Sequence, residues 1–138
     1  MNLQNGVLDL SGKEPKFIER STKYGFRTCL SYAYDPDAKC PTFDQFMIDV
    51  TQDRKDLENI LLEFAGYSFA NDECRHAKAL ILLGEGSNGK STFIELLQEI
   101  AGEGSYSSLS ARDLEDPQHR AQMEGKLFNL SEETPNKS

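Results

Sequence analysis

The sequence predicts an α/β fold, and three observations carry that expectation. Residues 79–83, Ala-Leu-Ile-Leu-Leu, form an apolar run without polar alternation, as expected of a strand buried on both faces of a parallel sheet. A glycine-rich loop follows at once and opens an amphipathic helix. Ahead of both lie alternating segments broken by turn pairs, and then two further stretches of helical periodicity.

In chain order, Asn5-Gly6 is a hairpin signal because both residues tolerate positive φ. Val7-Leu8-Asp9-Leu10, Ser11-Gly12-Lys13 and Lys16-Phe17-Ile18-Glu19 then read as strand, turn and strand. A third short strand is expected around residues 27–34, before Asp35-Pro36-Asp37. Such a small β element buries too little to stand alone. After Pro41, Thr42-x-x-Gln45 fits a capping box, and Phe43, Phe46, Met47 and Val50 follow at helical spacing. A second helix is expected over residues 54–65, with Leu57, Ile60, Leu61 and Phe64 on one face and Gly66 as its stop. These stripes read as core packing. The polar stretch 71–76 is the candidate boundary.

Beyond it, a helix over residues 91–101 turns Phe93, Leu96, Leu97 and Ile100 inward. Residues 105–110 supply a short strand, and Asp116-Pro117 starts a further helix that Gly125 ends. Residues 126–130 form a last strand, which delivers Glu132 and Glu133 to its C-terminal end. The resulting division is a β-rich lead-in (1–41), a helical subdomain (42–76) and an α/β part (77–138).

Composition excludes several classes. The longest apolar run is five residues, so no membrane span is expected, and the first nine residues lack signal-peptide character; a cytoplasmic protein is expected. The net charge of −8 is divided evenly, with 9 − 13 = −4 over residues 1–75 and 6 − 10 = −4 over residues 76–138. No basic block appears anywhere, so these residues alone do not suggest a nucleic-acid surface. Cys29, Cys40 and Cys74 stand apart from one another and read as reduced thiols outside any metal site. His76 and His119 read as surface residues.

The chemistry is concentrated in Gly84-Glu85-Gly86-Ser87-Asn88-Gly89-Lys90-Ser91, which matches the phosphate-binding pattern G-x-x-x-x-G-K-[ST], the Walker A motif. Glycines let the backbone wrap a polyphosphate and turn its amides inward. Lys90 brings a cation to the β- and γ-phosphates, and Ser91 offers a hydroxyl to Mg²⁺. The helix that follows points its positive dipole end at the anion. Thr92 closes the nucleotide-binding stretch and starts the helix packing. The fixed positions arise by accident in roughly one chain of this length in two hundred. A preceding apolar strand and a following helix make accident rarer still, so ATP binding is the expectation.

Leu127-Phe-Asn-Leu-Ser-Glu132-Glu133 is the second element. A strand ending in paired carboxylates beside a phosphate loop suits phosphoryl transfer: Glu132 for Mg²⁺, Glu133 for the attacking water, with the order of the two roles open. Lys90, Glu132 and Glu133 are thus the expected catalytic set.

Taken together, Leu83-Gly-Glu-Gly-Ser-Asn-Gly-Lys-Ser-Thr92 and Gly125-Lys126-Leu-Phe-Asn-Leu-Ser-Glu-Glu133 resemble the superfamily 3 helicases, nearest to phage- and plasmid-type primase-helicases. Asn5-Gly-Val-Leu-Asp-Leu10 and Tyr34-Asp-Pro-Asp-Ala-Lys-Cys-Pro41 are similar to the segment before the ATPase core in those proteins. The resemblance implies a P-loop NTPase core of AAA+ type, hexameric rings, ATP hydrolysis coupled to DNA unwinding in replication, and often a primase domain elsewhere. The family's polar sensor, DNA-contacting hairpin and arginine finger have no counterpart in these residues. The expectation is therefore a truncated core: an excised piece, a shortened reading frame or a prophage remnant, with DNA held by regions absent from it. A trans arginine is worth on the order of 10³–10⁵ in rate in related NTPases, so negligible turnover is expected of the 138 residues alone. Two alternatives remain. One is a small P-loop kinase for a metabolite, with Arg112 or Arg120 over the phosphates. The other is a non-catalytic module that binds nucleotide or assembles with other subunits.

Overall fold

The computed structural model describes residues 1–12, 14–26, 29–69 and 78–131. Two small sheets and four helices are present among them. The first sheet is antiparallel, in the order β1 (Asn2–Leu3), β2 (Gly6–Asp9), β3 (Lys16–Ile18). Its register pairs Leu3 with Gly6, Val7 with Ile18 and Asp9 with Lys16. The strand–turn–strand reading of residues 7–19 is reproduced.

The hairpin signalled by Asn5-Gly6 is present as β1–β2, but its turn falls one residue earlier than the pair. The loop residues are Gln4 and Asn5, neither has positive φ, and Gly6 is already the first residue of β2. The pair has other work. A Cβ on Gly6 would lie 2.5 Å from Cζ of Phe17 and 2.8 Å from the Ile18 carbonyl, so glycine makes room for the ring and the neighbouring strand. The Asn5 side chain grips the backbone of Tyr34, donating to its carbonyl at 2.9 Å and accepting from its N–H at 2.8 Å. Residues 30–34 run parallel along the free edge of β1, with Leu30 N–H to the Asn2 carbonyl at 2.9 Å and Gln4 N–H to the Tyr32 carbonyl at 3.0 Å. This is the expected third segment, held by spaced bonds in place of a regular ladder.

Helix α1 spans Pro41–Thr51. It begins at Pro41, which needs no donor there, and Cys40 at its N-cap makes no side-chain bond, so the capping box of Thr42 and Gln45 does not form. Gln45 instead donates to Asp49 one turn on, at 2.8 Å. Helix α2, Lys55–Phe69, runs past Gly66. A helical glycine costs about 1 kcal/mol relative to alanine. Burial of Phe69, whose ring meets Phe128 edge-on at 6.0 Å between centroids, outweighs that cost. The buried stripe accordingly shifts to Leu61, Ala65 and Phe69, and Ile60 faces solvent. The candidate boundary, 71–76, lies outside the described residues.

Helix α3, Lys90–Ala101, buries Phe93, Leu97 and Ala101. Asp116 caps the short α4, Pro117–Arg120, by accepting from Gln118 N–H at 2.8 Å. Strands β4 (Tyr106–Ser107) and β5 (Phe128–Asn129) pair in parallel, and Leu127 N–H to Ser105 and Leu130 N–H to Ser107 extend the ladder at each end. One core joins these elements: Met47, Phe69, Phe93, Leu97 and Ala101, with Phe43, Phe46, Leu61, Tyr106 and Phe128 packed around them.

The run expected to be a doubly buried strand differs. Leu80 and Leu82 pack on the core, but Ile81 is 75% exposed and Leu83 87%. No strand pairing seats residues 79–83 among the described residues. A strand is defined by the backbone alongside it, and none of the described residues bonds to this run as a neighbouring strand.

Candidate functional site: the loop between residues 84 and 91

The loop leads directly into α3, and its glycines divide by cause. Gly84 has φ +154°, and a Cβ there would meet Nδ2 of Asn88. Gly89, the N-cap of α3, has φ +82°, and its Cβ would stand 2.4 Å from Cγ1 of Val50 and 3.3 Å from Cε2 of Phe46. Helix α1 thus presses on the loop where α3 begins. Among the described residues, Gly86 has no atom within 4 Å of the position its Cβ would take. The protein's own packing does not demand glycine there, so the open space it leaves can admit a ligand. Ser87 sits at φ +60°, a left-handed conformation that costs a non-glycine residue about 1 kcal/mol or more.

Lys90 organises the loop. Its Nζ donates to the Gly84 carbonyl at 2.9 Å, the Glu85 carbonyl at 2.8 Å and Oδ1 of Asn88 at 2.6 Å. An ammonium has three protons, and all are committed. The first bond inside the helix is Phe93 N–H to the Gly89 carbonyl at 2.9 Å. The backbone N–H groups of Lys90, Ser91 and Thr92 lie before it, in the first turn, where a helix leaves donors free for an anion. Glu85, Gly86, Ser87, Asn88, Ser91 and Thr92 are exposed, while Gly89 and Lys90 are half-buried. The structure therefore gathers Gly84, Glu85 and Asn88 around Lys90, and the other predicted residues up to Thr92 adjoin them in the loop and the first turn of α3.

Glu132 and Glu133 lie outside the described residues; β5 ends at Asn129, and Ser131 is the last residue described. No group of three or more acidic, histidine or cysteine side chains placed to hold a metal occurs among the described residues. Cys29 and Cys40 are free and exposed, and Cys74 falls outside the described residues. His119 is exposed, 3.7 Å from Asp113, whose carboxyl the Ser110 hydroxyl and N–H hold below the ordinary value. His76 also lies outside.

Two structural contacts escaped sequence reasoning. Asn129 ties the end of β5 to the chain leaving β4: its Oδ1 accepts from the Ser107 hydroxyl at 2.8 Å and Leu109 N–H at 2.9 Å, and its Nδ2 donates to the Leu109 carbonyl at 2.9 Å. Val50 reaches the loop through space, from a helix some forty residues upstream. A polar residue in an apolar strand was the available signal for Asn129; the helical stripe marks Val50 as a packing residue, but nothing in the sequence marks the loop as what it packs on.

Residues 1–52 match the model of the D5 N terminal like family, and residues 82–138 match that of a family of unknown function, DUF5906. The first match supports kinship with the phage and plasmid primase-helicases. No curated protein and no solved structure matches the chain. No helix among the described residues is long and apolar enough to cross a membrane.

Proposed function

We propose that the chain is the ATP-binding portion of a replicative helicase-primase ATPase of a phage, prophage or plasmid. The observation that carries the reading is the loop at α3: a lysine ammonium gathered inside a ring of loop oxygens, beside a glycine that faces open space. The match of residues 1–52 adds the primase-helicase context. In this reading the chain has a P-loop NTPase core of AAA+ type.

The loop residues have distinct tasks. Lys90 exchanges part of its oxygen ring for β- and γ-phosphate oxygens, which carry more negative charge than carbonyls. The free N–H groups at the start of α3 bind the phosphates, and the helix dipole adds to their pull. Residues Ser91 and Glu132 would hold Mg²⁺, which supplies charge neutralisation across the phosphates when bound. Glu133 would orient the attacking water and accept its proton. Unwinding, a hexameric ring and DNA contacts made elsewhere in the polypeptide belong to the same proposal. Against a metabolite kinase, Arg120 is already engaged: its Nη1 donates to the Leu114 and Glu115 carbonyls at 2.8 and 3.0 Å.

Titration calorimetry with ATP and Mg²⁺ tests the reading on the wild type and Lys90→Ala. Loss of one charge-assisted contact set weakens binding by at least about tenfold. Equal affinity of the two proteins, or no heat from either, overturns it.

A further inference from the structure

Lys90 has two kinds of acceptor in the loop, and they differ in how readily each is given up. The Gly84 and Glu85 carbonyls, at 2.9 and 2.8 Å from Nζ, belong to the backbone, and releasing either one means turning a peptide plane of the loop. The third acceptor is Oδ1 of Asn88, at 2.6 Å, on a side chain two residues away. Rotation about its own χ angles is enough to withdraw it.

Little else holds that side chain closed. Asn88 is exposed, and its Nδ2 makes no hydrogen bond among the described residues. The amide lies across the loop from Lys90 to Gly84. Around the place where a Cβ on Gly84 would stand, Nδ2 of Asn88 is the nearest atom, with Cγ of Asn88 and Nζ of Lys90 both at 3.6 Å. Glycine at 84 therefore leaves room for an amide that closes over the ammonium.

A phosphate entering the loop must reach the same nitrogen. All the ammonium protons are taken, so an incoming oxygen has to displace one of the present acceptors. Release of the side-chain oxygen leaves the loop backbone as it is. A phosphate oxygen is the stronger partner, because it is ionised and the amide oxygen is neutral, so the exchange runs toward the ligand. The hydrogen bond given up in the exchange still counts against binding. A residue without an amide at position 88 has no such bond to lose.

We infer that the Asn88 amide is an internal plug: in the ligand-free protein its Oδ1 occupies the Lys90 ammonium in place of a polyphosphate oxygen, and it swings out when a nucleoside triphosphate enters. The inference rests on the nucleotide-binding reading above, and it adds to that site a residue that opposes binding. With the plug closed, only a fraction of the molecules is competent, and the measured affinity is reduced by that fraction. Removal of the amide therefore tightens binding, whereas removal of a residue that shapes the loop or touches phosphate weakens it. The sign of the effect separates the two roles.

Titration calorimetry with ATP and Mg²⁺ on wild type, Asn88→Ala, Asn88→Asp and Lys90→Ala tests it. Asn88→Ala should bind at least about threefold more tightly than wild type, the change that a hydrogen bond of modest net strength gives. Asn88→Asp sets a full negative charge on the ammonium and should bind at least about tenfold more weakly. Thermal melts supply a second readout. Without ligand, Asn88→Ala should melt below wild type, because it lacks the bond to Lys90. At ATP and Mg²⁺ far above both dissociation constants the two midpoints should converge, since the bond is absent from both bound proteins. A residue that only shapes the loop lowers the midpoint in both conditions. If ATP binds wild type and Lys90→Ala loses it, an Asn88→Ala affinity at or below that of wild type overturns the plug and leaves the phosphate loop standing. A melting difference that persists at saturation, or Asn88→Asp binding as tightly as wild type, overturns the plug as well. No ATP binding by wild type, or equal binding by Lys90→Ala, removes the phosphate-loop reading and the plug with it.

Discussion

Replacing Gly89 with alanine sets a methyl group against α1 at the point where the phosphate loop turns into α3. Two costs arise together. The residue holds φ +82°, and a left-handed conformation costs an L-residue about 1–2 kcal/mol. The new Cβ would also stand 2.4 Å from Cγ1 of Val50 and 3.3 Å from a carbon of the Phe46 ring, both on a packed helix that must give way. Overpacking of this kind costs about 1–3 kcal/mol. Their sum, about 2–5 kcal/mol, is a large share of the 5–15 kcal/mol typical of a domain. Urea denaturation of wild type, Gly89→Ala, Val50→Ala and the double variant separates the two. The steric part is relieved when Val50 is shortened, so the double variant should be more stable than the sum of the singles by about 1–2 kcal/mol. The backbone part remains. A Gly89→Ala protein within about 0.5 kcal/mol of wild type, or strictly additive variants, would refute the contact between α1 and the loop.

The other expectations follow from single contacts. Leu82→Ala should cost about 1–2 kcal/mol in urea denaturation because that side chain packs on the core, while Leu83→Ser next to it should stay within about 0.5 kcal/mol. Asn129→Ala removes three hydrogen bonds and strands the Leu109 N–H, so its melting midpoint should fall by an amount matching about 2 kcal/mol. Asp9, Asp56 and Asp113 are held below the usual 3.8 by Ser11 N–H, the Arg54 guanidinium and the Ser110 hydroxyl respectively. Depressed carboxyls contribute stability above that value and lose it as pH falls through their folded values. Thermal melts from about pH 5 to about pH 2.5 should therefore show a falling midpoint, blunted in Asp113→Asn.

How much of this was legible in the sequence depends on whether a feature is local. The loop and its helix were, because the glycine–lysine spacing and the stripe of Phe93 and Leu97 are contained in one short stretch. The β2–β3 hairpin was legible for the same reason. Misreadings came where distant residues decide. Gly66 looks like a stop, yet Phe69 gains enough from Phe128 to carry α2 through it. Asn5-Gly6 signals a hairpin that forms one residue earlier, because Gly6 is needed beneath the Phe17 ring and Asn5 holds Tyr34. Residues 79–83 have strand composition, but composition supplies no neighbour for their backbone. The carboxylate pair is a matter of sequence alone, since Glu132 and Glu133 lie outside the described residues.

The most direct measurement is a nuclear magnetic resonance titration of the backbone amides with ATP and Mg²⁺. If the loop binds phosphate, the largest shifts fall on Gly84, Gly86, Gly89, Lys90 and Ser91 and saturate together, and Lys90→Ala abolishes them. Shifts centred away from the loop, or none within it, would contradict a phosphate site at α3.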